Sequence, residues 1–388
     1  MPPPDDTREV SAAPEHDVEI PPFFCPVDPA MHPDVDLVHE RSAQWAQRIG
    51  LVRTETELER WYATASAEFY GGMVPNAPTE HFQIAANWVY WGFAFDDAHC
   101  DEQGRAGDAP PDEQGPANGG ETARTSADLV HLAGRILRVL DTGDEALCLG
   151  DRYLLGLCDL ARSYRRLGTP VQVQRWITAH RRWLFGVVQQ NAHRDTGGAR
   201  SVDEFFLTRL HDCGGPPTQS MFEFANASEV PGAELHSPRV RALTESFWMI
   251  AAMDNDVVSR HKELLSQRDS HNVVDVLARC HGVDEGEALR TATAYRDRLM
   301  TLFLRLREQV WPTASGPLRT YLEALGSGIR SNIDWSLRTS RYATVYAEDG
   351  VTKSARIRFR GRCHDAPTDS APTPLPLPSI AWWWTQLD

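Results

Sequence analysis

Three stretches of the chain gather side chains that can do chemistry. The first is WVYWGFAFDDAHCDE, residues 88–102, an aromatic and aliphatic run that ends in Asp96, Asp97, Asp101 and Glu102. Carboxylates repel one another, and burying them beside apolar surface is costly without a countercharge. On a helix Asp97 and Asp101 share a face, as do Asp96 and Cys100, and Phe93 sits one turn before Asp96 on nearly the same face. Clustered carboxylates suit a hard divalent cation such as Mg²⁺, which takes oxygen ligands and bridges to phosphate. The plain alternative is a solvated helix end, but acids there oppose the helix dipole.

The second stretch is MDNDVVSRHKELL, residues 253–265. Asn255, Ser259 and Glu263 recur every four residues and fall within an arc of about 80° on one helix face. An amide, a hydroxyl and a carboxylate in a column form a second oxygen site for a hard cation. Asp254 and Asp256 are expected to point elsewhere, and Arg260 and Lys262 flank the column, where they could meet an anion. An amphipathic polar face is the alternative, although Asn and Ser are weak helix formers. The third stretch, SNIDWSLRTSRYA, closes a helix on Arg341 and Tyr342, with Trp335 six residues upstream. Arginine offers a planar fork of donors to phosphate oxygens and tyrosine adds a hydroxyl, whereas a cation at a helix C-terminus is the ordinary reading.

Helices have to position these groups. Helical texture begins near Asp34 and continues through 127–140, 144–167, 170–192, 202–211, 217–228, 238–265, 270–280, 284–310 and 316–340, with helix stops such as RLGTP and WPTASGP between them. No convincing strand alternation or βαβ rhythm is seen. The expected fold is all-α, a single helical domain over 21–345. Residues 1–20 read as a disordered lead-in, 103–126 as a Gly/Pro-rich loop that could help close a site, and 346–388 as a tail. The tail's three adjacent tryptophans could pack on the body or meet a partner.

The formal net charge of −15 argues against a general nucleic-acid binder, which needs a basic surface. No apolar run approaches the ~20 residues of a membrane span, and the N-terminus lacks a secretory signal, so a cytoplasmic protein is expected. Seven dispersed cysteines without a C-x-x-C pair read as reduced thiols.

Taken together, the three stretches resemble the class I terpene synthases of the bacterial type. DDAHCDE is similar to that family's aspartate-rich motif, NDVVSRHKE to its Asn-Ser-Glu triad, and RY to its C-terminal pair, in the family's order, across residues from about 20 to 345. The resemblance implies a helical bundle around a central cavity. It implies Asp96 as principal ligand of two Mg²⁺ ions, with Asp97 beside it and Asp101 or Glu102 as accessory. Asn255, Ser259 and Glu263 would then hold a third ion, and Lys262, Arg341 and Tyr342 would donate to the substrate's diphosphate. TRLHDCGG is similar to the family's diphosphate sensor, which makes Arg209 the sensor, Asp212 the linker and the Cys213 carbonyl the group facing substrate, with Gly214 and Gly215 loosening the helix. Two departures stand out: Cys100 occupies the place of the compact motif's last acid, and Cys213 stands where a smaller residue is common.

The implied activity is Mg²⁺-dependent ionisation and cyclisation of a prenyl diphosphate, with farnesyl diphosphate the family's usual substrate and geranylgeranyl diphosphate the alternative. Phe93 and Trp335 are the expected aromatic walls for a carbocation, with Tyr90, Phe185 and Trp248 as weaker candidates. A chain-elongating prenyltransferase would carry a second aspartate-rich motif, and a non-catalytic prenyl-diphosphate binder would not need both ligand sets. A homodimer is compatible with the sequence.

Overall fold

Helix starts in this chain are set by side-chain caps. Thr169 accepts from Gln172 N at 3.1 Å while its own N–H donates to Gln172 Oε1 at 3.0 Å, and Pro170 supplies the first helical residue. Thr54 and Glu57 form the same reciprocal box, and Ser201 accepts from Glu204 N at 3.1 Å. The structure, a computed structural model, describes residues 16–99, 126–265, 271–342, 344–346, 352–359, 363 and 365–388.

The helices are α1 (Val35–Arg48), α2 (Glu55–Ala63), α3 (Ser66–Met73), α4 (Thr79–His99), α5 (Ser126–Thr142), α6 (Arg152–Leu167), α7 (Pro170–Asp195), α8 (Val202–Asp212), α9 (Gly215–Ser220), α10 (Phe222–Ala225), α11 (Gly232–Leu235), α12 (Pro238–Leu265), α13 (Val273–His281), α14 (Glu285–Val310), α15 (Gly316–Ser336) and α16 (Pro378–Ala381). The fold is all-α in its body, as expected. Helix α12 packs against α8, α9, α14 and α15, while α4 packs against α1, α3 and α6, and α7 against α5, α8 and α9. None of the described helices is long and apolar enough to cross a membrane.

A small sheet departs from the sequence expectation. Strands β1 (His16–Ile20), β2 (Thr344–Tyr346) and β3 (Thr352–Phe359) lie in the order β1-β3-β2, with β1 parallel and β2 antiparallel to β3. The β1 register pairs Val18 with Ile357. Strands β1 and β3 come from opposite ends of the chain, so no local hairpin signal announces their pairing. His16–Ile20 also falls within the stretch read as a lead-in.

The proline-punctuated N-terminal segment lies across the body. Phe24 N donates to Asp297 at 3.1 Å, Arg330 donates to the Val27 carbonyl at 2.9 Å, and Phe23 and Phe24 are buried. The tail packs on the body as well. Asp297 accepts from Thr368 N and Oγ1 at 2.9 and 2.8 Å, Ser379 binds Asp203 on α8, and the fully buried Trp383 donates to Glu245 on α12 at 3.0 Å. Beneath these straps Arg296 of α14 is buried against Asp254 of α12, with Nε–Oδ1 at 2.7 Å and Nη2–Oδ2 at 3.2 Å, and it also donates to the Phe24 carbonyl.

An aromatic layer backs α4. Trp91 stacks on Phe95, and Trp88, Trp91 and Phe95 all meet Trp183. At its centre the fully buried His180 donates from Nδ1 to the Trp176 carbonyl (2.8 Å) and accepts at Nε2 from the Trp88 indole (2.9 Å), which fixes a neutral ring. Burial lowers its pKa to about 4, against the Trp176 carbonyl, which favours the charged ring. In the pH window between 4 and 6.5 the unfolded chain therefore binds more protons, and stability falls as pH falls. Lowering the pH from 7 to 5 is expected to remove about 2 kcal/mol through this group. Urea midpoints of the parent and of His180→Phe at the two pH values check this; equal pH dependence in both overturns it.

Candidate active site

A cavity of about 240 Å³ runs between α3, α4, α7, α8, α12 and α15. From α4 it receives Trp88, Val89, Gly92, Phe93 and Asp96, which at ~100° per residue fall in an arc of about 140°. Helix α12 presents Phe247, Trp248, Ala251 and Ala252, then Asn255, Asp256, Ser259, Lys262 and Glu263. Both helices thus pass from apolar to polar along the cavity. The turn after α15 joins their polar ends. Arg341 holds both oxygens of Asp97 at 2.7 and 2.8 Å and lies 3.9 Å from Asp96, while Tyr342 accepts from Asn255 Nδ2 at 2.5 Å.

The aromatic wall is tightly held. Phe93 stacks on Trp335 with centroids 5.4 Å apart, Phe69 lies 4.8 Å from Trp335, and the Arg341 guanidinium sits 4.4 Å above Phe93. The Trp335 N–H donates to the Thr64 carbonyl at 2.7 Å, so the indole is fixed. Gly92 shows a bare backbone to the cavity: a Cβ there would meet only Trp88 ring atoms, at 3.8 and 3.9 Å. Gly215 differs, since a Cβ there would press to 2.9 Å from the Trp248 ring.

On the facing side α8 stops at Asp212 and α9 starts at Gly215, and Gly214 makes the break in left-handed backbone at φ +69°. Cys213 lines the cavity at this break, its thiol pushed up to about 12 by burial. Arg209 binds Asp212 at 3.0 Å and Asp256 at 2.6 Å. Burial raises the Asp212 carboxyl's pKa, but Arg209 and His271 together take it below the usual range. Asp256 stays above its usual range because burial outweighs Arg209. Glu263 accepts from Ser259 (2.5 Å) and Asn272 (3.0 Å), and burial, then Asp256, push it up to about 7.

The cavity thus brings together Asp96, Asn255, Ser259, Glu263, Lys262, Arg209, Asp212, Cys213, Phe93, Trp335, Arg341 and Tyr342. Asp101 and Glu102 lie outside the described residues, as does the 103–126 loop. Asp97, expected as a ligand beside Asp96, instead engages Arg341 with both oxygens, because it sits about 40° from Phe93, under that arginine. Tyr90 is corrected from substrate contact to core. It lies about 130° round α4 from the centre of the cavity face, stacks on Trp61 at 5.0 Å and binds His39 at 2.5 Å. Phe185 is exposed on α7, so it too is corrected. Asp254 points away as expected, but Asp256 reaches the cavity through Arg209, and Arg260 pairs with Asp275 and Glu285 instead of meeting an anion. Trp88, Trp183, Arg194 and His271 were not singled out by sequence. Trp88 shares the helical face of Asp96, two turns earlier, and that periodicity could have found it.

Residues 87–301 match the family described as "Terpene synthase family 2, C-terminal metal binding". The chain is 36% identical to spiroviolene synthase of Streptomyces violens, over 95% of this chain and 97% of that one. The chain belongs to the class I terpene synthases. The synthase is also 31% identical to a (+)-T-muurolol synthase of Streptomyces clavuligerus, described as cyclizing (2E,6E)-farnesyl diphosphate, over 93% of this chain and 81% of that one. It superposes with a TM-score of 0.79 and 39% identity on the crystal structure of SVS_A2, a protein from ancestral sequence reconstruction, covering 95% of this chain and 99% of that one. The synthase is accordingly a lyase acting on prenyl diphosphates. Its donor set fits a hard cation: Asp96, Asn255, Ser259 and Glu263 all offer oxygen. Among the described residues no three histidines, cysteines or carboxylates converge as a metal site.

Proposed function

We propose that the synthase ionises farnesyl diphosphate in a Mg²⁺-dependent reaction and cyclises it to a sesquiterpene hydrocarbon or alcohol, releasing diphosphate. The observation that carries this reading is the division of one cavity into a polar end around Arg341–Tyr342 and an aromatic end around Phe93–Trp335. Asp96 would hold two ions and Asn255, Ser259 and Glu263 a third. Mg²⁺, when bound, supplies Lewis-acid neutralisation of the diphosphate as the allylic C–O bond breaks. Arg209, Lys262, Arg341 and Tyr342 add donors to the same leaving group. Phe93 and Trp335 wall the carbocation with π faces that stabilise it, at roughly 1–2 kcal/mol per desolvated contact. The apolar lining keeps water away until rings have formed. The farnesyl assignment draws on the similar (+)-T-muurolol synthase.

Incubation with Mg²⁺ and either farnesyl or geranylgeranyl diphosphate, followed by gas chromatography of a pentane extract, tests the proposal. A terpene from the farnesyl substrate, lost on adding EDTA, is the expected result. Turnover of the geranylgeranyl substrate alone overturns the chain length. A lengthened diphosphate, or no product from either, overturns the function.

A further inference from the structure

The turn that leads into α13 touches both halves of the polar end. His271 lines the cavity and places Nε2 3.0 Å from Asp212 Oδ2. Asn272 is fully buried. Its Nδ2 donates to the Asp256 carbonyl at 2.7 Å and to Glu263 Oε2 at 3.0 Å, while its Oδ1 caps α13 by accepting from Val274 N at 3.0 Å. Val273 N donates to Asp256 Oδ2 at 3.0 Å, and the other oxygen of Asp256 binds Arg209. Three consecutive residues therefore grip the last member of the Asn-Ser-Glu column and both carboxylates that hold Arg209.

Each of these contacts has a directional consequence. Glu263 carries two oxygens: Oε1 receives the Ser259 hydroxyl and Oε2 the Asn272 amide. A carboxylate fixed at both oxygens cannot swing, so the direction it offers a cation is set by α12 and by the α13 turn together. Buried amide donors of this kind hold a carboxylate firmly because leaving it unpaired is costly.

We infer that His271-Asn272-Val273 is a positioning element that ties Glu263 to the Arg209–Asp212–Asp256 cluster, with Asn272 orienting Glu263 for the cation. The inference rests on the reading of Glu263 as a metal ligand, and it makes magnesium affinity depend on a residue that offers the ion no ligand of its own.

Asn272→Ser keeps a good helix cap but is too short to reach Glu263. Titration of MgCl₂ into protein with inorganic diphosphate, read by calorimetry, reports binding without turnover. The half-saturating magnesium concentration is expected to rise about tenfold in this variant. In steady-state assays the KM for magnesium rises likewise, while kcat at saturating magnesium stays within about threefold of the parent. A purely structural role would lower the melting temperature of the magnesium-free protein and leave the isotherm of the folded fraction in place; that outcome overturns the inference. If Asn272→Ser does not fold, Asn272→Asp keeps both the cap and the side-chain size, and the same isotherm decides. Glu263→Gln serves as the control. Weaker magnesium binding in Glu263→Gln but not in the Asn272 variants overturns the inference alone. Unchanged binding in Glu263→Gln overturns the metal reading beneath it.

Discussion

Asp96→Ala is expected to abolish Mg²⁺-dependent turnover, by at least about 10³-fold, and to leave the fold intact. Asp96 is the described acid of α4 that lines the cavity, at the point where apolar wall gives way to polar end. Its side chain is 40% exposed, so truncation opens no buried void and stability should stay within ~0.5 kcal/mol. Asn255→Ala should fall nearly as far, because it removes both an oxygen donor and the partner of Tyr342. Asp97→Asn is the informative contrast. It weakens the hold on Arg341 rather than a cation, so its loss should be smaller and should fall mainly on the KM for the diphosphate substrate. Diphosphate release at saturating magnesium, with circular dichroism of each variant, checks the set. Activity of Asp96→Ala within tenfold of the parent would refute the metal assignment.

Arg296→Met is expected to lower unfolding stability by about 3–5 kcal/mol. The guanidinium is buried between Asp254, Asp297 and the Phe24 carbonyl. Burial already pushes the Asp254 carboxyl up, against the attraction of Arg296. Without the arginine it would be left as an uncompensated buried acid. Asp297 is less affected, since Phe24 N and Thr368 still donate to it. The double variant Asp254→Leu/Arg296→Met should recover part of the loss, because the acid left without donors is gone, while Asp297 keeps those of Phe24 and Thr368. Urea midpoints at pH 7 test both; a double variant no more stable than the single one overturns this account.

Local chemistry was legible in the sequence and long-range pairing was not. Helix α12 occupies 238–265, as its periodicity predicts, and α7 starts at Pro170 because Thr169 and Gln172 cap it reciprocally. The Asn255, Ser259 and Glu263 column follows from helical geometry alone, and it lines the cavity. Tyr90 stacks on Trp61 in the core because its angle round α4 turns it from the cavity, which its nearness to Phe93 in sequence does not reveal. The partnership of Asp97 with Arg341 spans 244 residues, and that of Trp88 with His180 spans 92, so no local pattern carries either. The parallel pairing of β1 with β3 escapes local patterns for the same reason, because the two lie at opposite ends of the chain, whereas β2 and β3 are neighbours in sequence.

Gly92 carries a consequence for how such a protein changes over generations. At Gly215 any side chain meets the Trp248 ring, so drift there is closed unless a compensating replacement comes first. At Gly92, on the cavity lining, the added methyl finds ordinary contact distance to the Trp88 ring. A mutation at that codon alters the mould in which rings close while leaving the scaffold's stability nearly untouched. New products are therefore reachable there in single steps, without passing through an unfolded ancestor.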